Sequence, residues 1–394
     1  MTATTNATGR RVWIAGVGLT PVREHWERSL RDLAHQAMQA AMDDAGGLRP
    51  QALYVANMLS GALSGQTQLG ALLADYGGLR GVEAHTVEAA GASGGMALRQ
   101  AYLAIRAGEI DTALVVGVEK VSEKVTAEVE AALVSATDTD FEAAQGVTPT
   151  AQAALLMRRY LHQHQAPADA LAGFSLTAHE HGATNPNAMF QKAIKLEAYQ
   201  RGALISDPVN MFDAAPLADG AAALLLVGEG VAPEGGPVPL VRIAGSAAAS
   251  SALALHDQPD PLRPETVSQT TRQALERAGI DHDSIDLYEL HDSFTIFAAL
   301  SLEAAGFAEP GTAWKMAADG AWKRGGKLPI GTMGGSKARG ETAGATGVYQ
   351  AVEAALQLQG RAGGSQVEGA RWALIQCLGG NGATCATHVL TVAG

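Results

Sequence analysis

Cysteine is scarce in this chain of 394 residues, which has only Cys377 and Cys385, both near the C-terminus. The sequence shows no signal-peptide pattern, in which a basic N-terminus is followed by an apolar run. Together with the small number of cysteines, this indicates a protein of the reducing cytoplasm rather than a secreted one. The sequence contains no cluster of metal-ligating residues, so it predicts no metal site of its own. No apolar stretch approaches the roughly 20 residues that cross a bilayer, so no membrane span is expected.

Positive charge is also in short supply, since 28 lysines and arginines face 40 acidic residues and the net charge is −12. Nucleic acids and anionic membranes require clustered basic residues, so neither is an expected partner. An anionic ligand would depend on local basic groups, each of which has the alternative of being a solvated helix residue. The candidate groups are Arg158, Arg159, Lys192, Lys195, Lys337 and Arg339.

Glycine and small apolar residues are what the chain has in abundance. It contains 46 glycines, 15 prolines and 47% hydrophobic residues, which favours an alternating α/β protein over a disordered one. Its length predicts two similar halves, residues 1–232 and 238–394, joined by a linker over 228–238. Both halves repeat the same order of elements, which suggests an internal duplication, while residues 122–204 interrupt that order as a helical insertion.

Hydrophobic periodicity predicts the individual elements. Strands are expected at Arg10–Val22, Ala52–Leu59, the residues before Gly91, Thr112–Val118, Ala221–Val227, Leu240–Ala247, Asp286–Leu290, Trp372–Gln376 and Thr384–Val392. Helices are expected at Ser29–Ala45, Leu69–Tyr76, Met96–Ala107, Thr150–His164, Pro167–His181, Pro264–Ala278, Phe294–Ala305 and Thr346–Leu358. Alternating strands and crossover helices predict a largely parallel sheet covered on both faces.

The segment from Thr86 to Leu98 predicts a strand, a glycine-rich turn and a helix, an arrangement that lifts one residue into a site. Gly91 occupies the lifted position. Backbone NH groups at such a turn are unpaired and aligned with the helix dipole, so they can bind an oxyanion. Glycine offers no nucleophile, however, so covalent acyl transfer from this position is excluded.

Four segments, the turn at Gly91 and the segments Glu289–Thr295, Gly334–Gly347 and Cys377–Gly382, together resemble the sterol-carrier-protein-type branch of the thiolase superfamily. The turn at Gly91 is similar to the family's Val-x-x-x-Cys-Ala/Ser-Ser-Gly turn without the cysteine. The other three segments are Glu289-Leu-His-Asp-Ser-Phe-Thr295, Gly334-Gly-Ser-Lys-Ala-Arg-Gly-Glu-Thr-Ala-Gly-Ala-Thr-Gly347 and Cys377-Leu-Gly-Gly-Asn-Gly382. In the segment Gly334–Gly347, Glu341 replaces the histidine that activates the family's nucleophile.

The resemblance implies a thiolase fold: two duplicated halves, each with a mixed, mostly parallel five-stranded sheet, layered αβαβα. It implies acid and base groups at His291, Glu341 and Cys377, and oxyanion donors at Gly91, Gly379 and Gly380. Residues that would bind coenzyme A are Lys337, Arg339 and Ser93, although Ser93 is also a natural turn residue. It further implies a homodimer and a small partner subunit with a zinc ribbon and an oligonucleotide-binding-type barrel.

The replacement of histidine by Glu341 carries a physical argument. A carboxylate beside a thiol would raise its pKa, so Glu341 fits a base for a hydroxyl better than a partner for sulfur. His291 would position water or the thioester oxygen, or exchange a proton, and Cys377 would protonate the enolate carbon. These parts predict a coenzyme A-thioester aldolase of lipid metabolism, acting on a 3-hydroxyacyl-CoA, with the thioester as substrate and no permanently bound cofactor.

Two other functions remain open at this point. One is an acyltransferase of the acetyl-CoA C-acyltransferase type, either with another nucleophile such as Cys377 or as an engineered cysteine-to-glycine variant at position 91. The other is a noncatalytic thiolase-like subunit of a complex.

Overall fold

The computed structural model describes residues 9–231 and 238–392, so part of the predicted linker and the outer ends of both predicted halves lie outside the described residues. The strands are β1 Val12–Leu19, β2 Ala52–Ala56, β3 Glu83–Val87, β4 Thr112–Glu119, β5 Leu204–Ser206, β6 Val209–Asn210, β7 Gly220–Gly228, β8 Val241–Ser250, β9 Leu287–Glu289, β10 Trp372–Gly379 and β11 Thr384–Val392. The helices are α1 Leu30–Asp44, α2 Ser60–Leu63, α3 Leu69–Tyr76, α4 Ser93–Ala107, α5 Thr126–Val134, α6 Pro149–Gln163, α7 Ala172–Gly182, α8 Leu196–Gln200, α9 Glu265–Ala278, α10 Thr295–Ala304, α11 Ala313–Ala318, α12 Gly335–Arg339 and α13 Thr346–Leu358.

Nine strands form one mixed sheet in the order β3-β2-β4-β7-β1-β8-β11-β10-β9. The first five strands come from the first half and the last four from the second, and β1 and β8 join them through two antiparallel residue pairs. Pairings are parallel at β3-β2, β2-β4 and β10-β9, and antiparallel elsewhere. Within the first set only β7 runs antiparallel to the other strands, and within the second set only β11 does. Each set is therefore mostly parallel, as predicted.

The prediction of five strands in each half is wrong for the second half, which contributes four. The place beside β9 is taken by a single parallel bridge between Tyr288 and Ile330. Gly331 and Gly334 follow with φ of 46° and 113°, a backbone conformation that turns the chain away before a strand can extend. The fifth strand is thus reduced to one residue pair.

Helices cover the sheet in the predicted αβαβα layers. Helix α1 packs on the first set of strands and α9 on the second, while α4 and α13 contact strands of both sets and lie between them. The two central helices approach closely because glycines face each other. A Cβ on Gly94 would lie 2.6 Å from the backbone nitrogen of Val348, and one on Gly347 would lie 2.6 Å from that of Gly95. Small residues here bring both helix N-termini toward the same end of the sheet.

The helical insertion contains the two predicted helices, α6 and α7, together with α5, α8 and the short β5-β6 hairpin at its end, none of which was predicted. Two helices begin at residues other than the predicted ones, Pro167 for α7 and Met96 for α4. Helix α7 begins at Ala172, five residues after Pro167, and α4 begins at Ser93 rather than at Met96. Among the described residues no helix is long and apolar enough to cross a membrane.

Candidate active site

The turn between β3 and α4 places Gly91 at the wall of a cavity. Ser93 holds this turn, because its hydroxyl accepts a hydrogen bond from the NH of Ala89 (2.9 Å) and donates one to the carbonyl of Ala90 (2.6 Å). Ala90 adopts a positive φ of 51°, which is uncommon for a residue with a side chain. The sequence therefore builds a tight turn in which Gly91 borders the cavity.

His291 lies in the segment between β9 and α10, and Glu341 follows α12. The two side chains meet, with His291 Nε2 at 3.2 Å from Glu341 Oε2. The NH of Leu378 donates to His291 Nδ1 (3.1 Å), so Nδ1 is the acceptor and Nε2 carries the proton that faces the carboxylate. Both side chains are nearly fully buried. They form one hydrogen-bonded pair, which we call the acid–base pair.

The charge state of Glu341 follows from its neighbours. Burial is the largest single influence and acts to raise the pKa of this carboxyl group, but the hydrogen bonds from neighbouring side chains, together with the charge of His291 when its ring is protonated, outweigh burial and bring the pKa to about 2. The Thr346 hydroxyl, at the start of α13, donates a 2.6 Å hydrogen bond to Glu341 Oε1 and acts in the same direction. Glu341 is therefore a carboxylate at every ordinary pH.

Both halves of the chain contribute to the cavity in front of this pair, which has a volume of about 270 Å³ and which we call the reaction cavity. Gly91 lies next to His291: a Cβ on this glycine would be 2.6 Å from His291 Cε1 and 2.6 Å from the Leu378 carbonyl oxygen. The imidazole thus fills the space that a side chain at position 91 would need. Most of the remaining wall is apolar, including Phe294 and Phe297.

The three glycines expected to supply oxyanion donors do not behave alike. Gly91 and Gly380 both line the reaction cavity, and among the described residues their backbone NH groups have no hydrogen-bond partner. Gly379 does not line it. A Cβ on Gly379 would lie 2.4 Å from the carbonyl oxygen of Ala89, so this glycine lets β10 pack against the turn at Gly91.

The placement of Cys377 corrects the role predicted for it. Its thiol is fully buried, donates to Gln350 Oε1 (3.1 Å) and faces the glycines of α4 and α13 rather than the reaction cavity. Side chains alternate along β10, so the residue beside the cavity is Leu378. Burial also raises the pKa of the Cys377 thiol far above its ordinary value. Cys385 is likewise buried, as expected for a small core residue.

The residues expected to bind coenzyme A are all buried. Arg339 Nη1 forms an ion pair with Glu353 Oε2 at 2.7 Å, with both side chains at most 2% exposed. Ser93 is fully enclosed in its turn. Lys337 is 2% exposed and lines a second cavity, described below. Arg339 and Ser93 are therefore structural residues, because neither side chain reaches a surface where a ligand can bind.

Some polar residues in or beside the reaction cavity were not predicted from the sequence. Gln152 on α6 accepts a 2.7 Å hydrogen bond from the side chain of Asn381, which ties the helical insertion to the turn after β10. Glu119, fully buried at the end of β4, accepts hydrogen bonds from the NH groups of Met58 and Gly344, on two loops beside the cavity. A charged residue at the end of a buried apolar strand is the sequence signal by which Glu119 could have been found.

Two features identify the class of protein. The α/β fold consists of two halves, and strand-to-helix turns from both halves meet at one cavity. Residues 12–230 match the family model described as thiolase, N-terminal domain, and residues 247–392 match the model described as thiolase C-terminal domain-like. The chain therefore belongs to the thiolase family.

Individual relatives carry different activities in their names. The chain is 37% identical over 384 residues to an acetyl-CoA acetyltransferase of Methanothermobacter thermautotrophicus, covering 97% of this chain and 100% of that protein. It is 28% identical over 364 residues to the 17-hydroxy-3-oxo-4-pregnene-20-carboxyl-CoA lyase of Mycobacterium tuberculosis, covering 88% and 91%. Among solved structures, the Ltp2-ChsH2(DUF35) aldolase has the same fold, with a TM-score of 0.84 at 24% identity over 98% of both chains.

Proposed function

We propose that this protein is an enzyme acting on coenzyme A thioesters, and that it breaks or makes a carbon–carbon bond by a retro-aldol or aldol route on a 3-hydroxyacyl-CoA. The observation that carries the proposal is the composition of the reaction cavity. Its acid–base pair lies directly beside Gly91, and both cysteines lie outside the cavity. Proton transfer is supported by such a site, whereas attack by a thiolate is not.

The cleavage direction needs one base, one oxyanion site and one acid. The acid–base pair accepts the proton of the 3-hydroxyl group, and the electrons of that O–H bond form the carbonyl as the bond between carbons 2 and 3 breaks. The electron pair of the broken bond forms the thioester enolate, whose oxygen the NH groups of Gly91 and Gly380 stabilise. The pair then returns the same proton to carbon 2, so the reaction balances without Cys377.

The two members of the pair have different tasks in this mechanism. A carboxylate with a pKa of about 2 is a weak base by itself. Both nitrogens of the His291 ring are engaged, Nδ1 by the NH of Leu378 and Nε2 by Glu341, so the ring orients the carboxylate and Glu341 is the member that takes up the hydroxyl proton. The 3.2 Å contact is at the long end for such a hydrogen bond, and catalytic contacts of this kind often shorten when substrate is bound.

The names of two neighbours support carbon–carbon chemistry, since one is a lyase of a carboxyl-CoA and the other an aldolase. The acetyltransferase name of the 37% identical relative favours the acyltransferase alternative, but the buried thiol of Cys377 argues against it as nucleophile. The name Ltp2-ChsH2(DUF35) aldolase joins two proteins, which supports a small partner subunit for this chain too. The homodimer remains part of the proposal.

Product analysis tests the proposal directly. The protein, with and without the product of the neighbouring gene, is incubated with a panel of 3-hydroxyacyl-CoA and 3-oxoacyl-CoA thioesters. We expect an aldehyde or ketone together with a shortened acyl-CoA from the hydroxy series. Thiolysis of the oxo series would contradict the aldolase and support an acyltransferase, and binding without turnover would support a noncatalytic subunit.

Substitution of the carboxylate tests the pair. Glu341→Gln keeps the size of the side chain and its contact with Thr346 but removes the negative charge and the basic oxygen that take up the hydroxyl proton. We expect kcat for cleavage to fall by about a hundredfold or more. Glu180→Gln is the matched control, because Glu180 pairs with Lys323 at the exposed surface. Unchanged kinetics of Glu341→Gln would remove this residue from the mechanism.

A further inference from the structure

A second, larger cavity adjoins the reaction cavity. It has a volume of about 880 Å³, and Ile205, Ala214 and Ala215 line both cavities. We call it the lysine cavity, after Lys337, which also lines it. The helical insertion forms much of its wall. Because the two cavities meet at three shared residues, a ligand whose reacting atoms lie at the acid–base pair can extend into the lysine cavity.

Lys337 is buried without an ionic partner. It is 2% exposed, and its ammonium donates one hydrogen bond, to the carbonyl oxygen of Ala214 (2.5 Å). Within residues 9–231 and 238–392 no carboxylate oxygen lies within 4.0 Å of its Nζ, and the charges of Asp292 and Asp213 act only from farther away. Burial is costly for such a group, and lowers the pKa of Lys337 to about 8. An anionic ligand oxygen would supply the missing partner.

The rest of the lysine cavity suits an apolar group. His179 stacks on Phe190, with ring centroids 5.6 Å apart, and meets the edge of Phe212. Burial, together with the charge of Lys337, lowers the pKa of His179 to about 4, so this ring is neutral at physiological pH. Lys192, the other cationic residue of the lining, lies exposed at the mouth. The interior thus offers apolar and aromatic surface with one buried positive charge.

We propose that the lysine cavity binds the far part of the acyl group, and that Lys337 binds a carboxylate at the end of that group. The preferred thioesters are therefore those with an apolar middle and a terminal carboxylate. This inference rests on the proposed function, because it takes the reacting carbons to lie at the acid–base pair. An apolar middle matches the aromatic wall, and a terminal carboxylate is the group that neutralises an unpaired buried ammonium.

Binding of saturated thioesters tests the inference without requiring cleavage. Dissociation constants are measured by titration calorimetry for matched acyl-CoA pairs of six, eight and ten carbons, one member of each pair carrying a terminal carboxylate, and for free coenzyme A. At the best-fitting length we expect the carboxylate member to bind at least about tenfold more tightly. Lys337→Met should abolish this preference and leave the affinity for free coenzyme A within about twofold.

Lys192→Met is the matched control, since it removes a lysine from the mouth of the same cavity and should keep the preference. Equal affinities within all three wild-type pairs would overturn the inference, and this comparison stands even if Lys337→Met does not fold. Weaker binding of free coenzyme A to Lys337→Met would also overturn it, because Lys337 would then serve the coenzyme itself. A failed proposed function is recognised separately, by the absence of cleavage products from the 3-hydroxyacyl-CoA panel.

Discussion

Two buried pairs of polar side chains share one short segment of the chain and differ in what surrounds them. Arg339 pairs with Glu353 at 2.7 Å, both side chains being at most 2% exposed and away from the reaction cavity. Two residues later, Glu341 pairs with His291 at 3.2 Å and both line that cavity. The first pair is closer and fully enclosed, so it holds the segment in place. The second is looser and borders free volume, so it can exchange protons with a ligand.

Removal of one member of the enclosed Arg339–Glu353 pair is expected to have the largest effect on the stability of the protein. Arg339→Met leaves the buried Glu353 without its cation, and we expect the free energy of unfolding to fall by about 3 to 5 kcal/mol in denaturant titrations. The double variant Arg339→Met/Glu353→Leu should recover more than half of that loss, because no charge is then left unpaired. A double variant no more stable than the single one would contradict this assignment. Glu341→Gln should lose much less stability than Arg339→Met.

Crowding the acid–base pair gives the next largest effect. Gly91→Ala and Gly91→Cys both place a Cβ against His291 and the Leu378 carbonyl, so each should lower the free energy of unfolding by about 1 to 3 kcal/mol and displace the imidazole. Thermal melts measure the first effect, and cleavage assays the second. Gly91→Cys should not produce thiolysis of 3-oxoacyl-CoA. Thiolysis with an unchanged melting temperature would indicate a thiolase that lacks only its sulfur, as an engineered variant would.

The smallest effect concerns the loops beside the pair. Burial raises the pKa of Glu119 from 4.5 to about 7 even though backbone NH groups bind its carboxylate. The folded protein therefore holds a proton that the unfolded chain releases between about pH 4.5 and 7, and stability from this group is lost as the pH rises through that window. Glu119→Gln should flatten the decline of the melting temperature between pH 5 and 7.5. Parallel curves for the two proteins would contradict the prediction.

The fold was largely predictable because its signals are local. Strand β11 and helix α13 begin and end at the predicted residues, since buried β-branched runs and glycine-bounded amphipathic stretches mark them clearly. The missing fifth strand of the second half was not predictable. It depends on the backbone turn at Gly331 and Gly334, and on pairing with a strand more than forty residues away along the chain.

The site was predictable in part. Motifs identified His291, Glu341 and Gly91, and the structure brings these three together. The direction of each side chain was not available from the motifs. Cys377 lies in the expected turn region but on the strand face opposite the cavity, and Ser93 is used up by its own turn. The unpaired charge of Lys337 could not be predicted, because it depends on which distant carboxylates approach its amine.

The contact between Gly91 and His291 has a consequence for how this protein can evolve. A substitution that adds a side chain at position 91 places its Cβ 2.6 Å from both the Cε1 atom of His291 and the carbonyl oxygen of Leu378. Compensation must then come from a change at position 291 or a shift of the loop at Leu378. Natural variation at these positions should therefore be correlated, and single-step reversals at position 91 should be rare among its descendants.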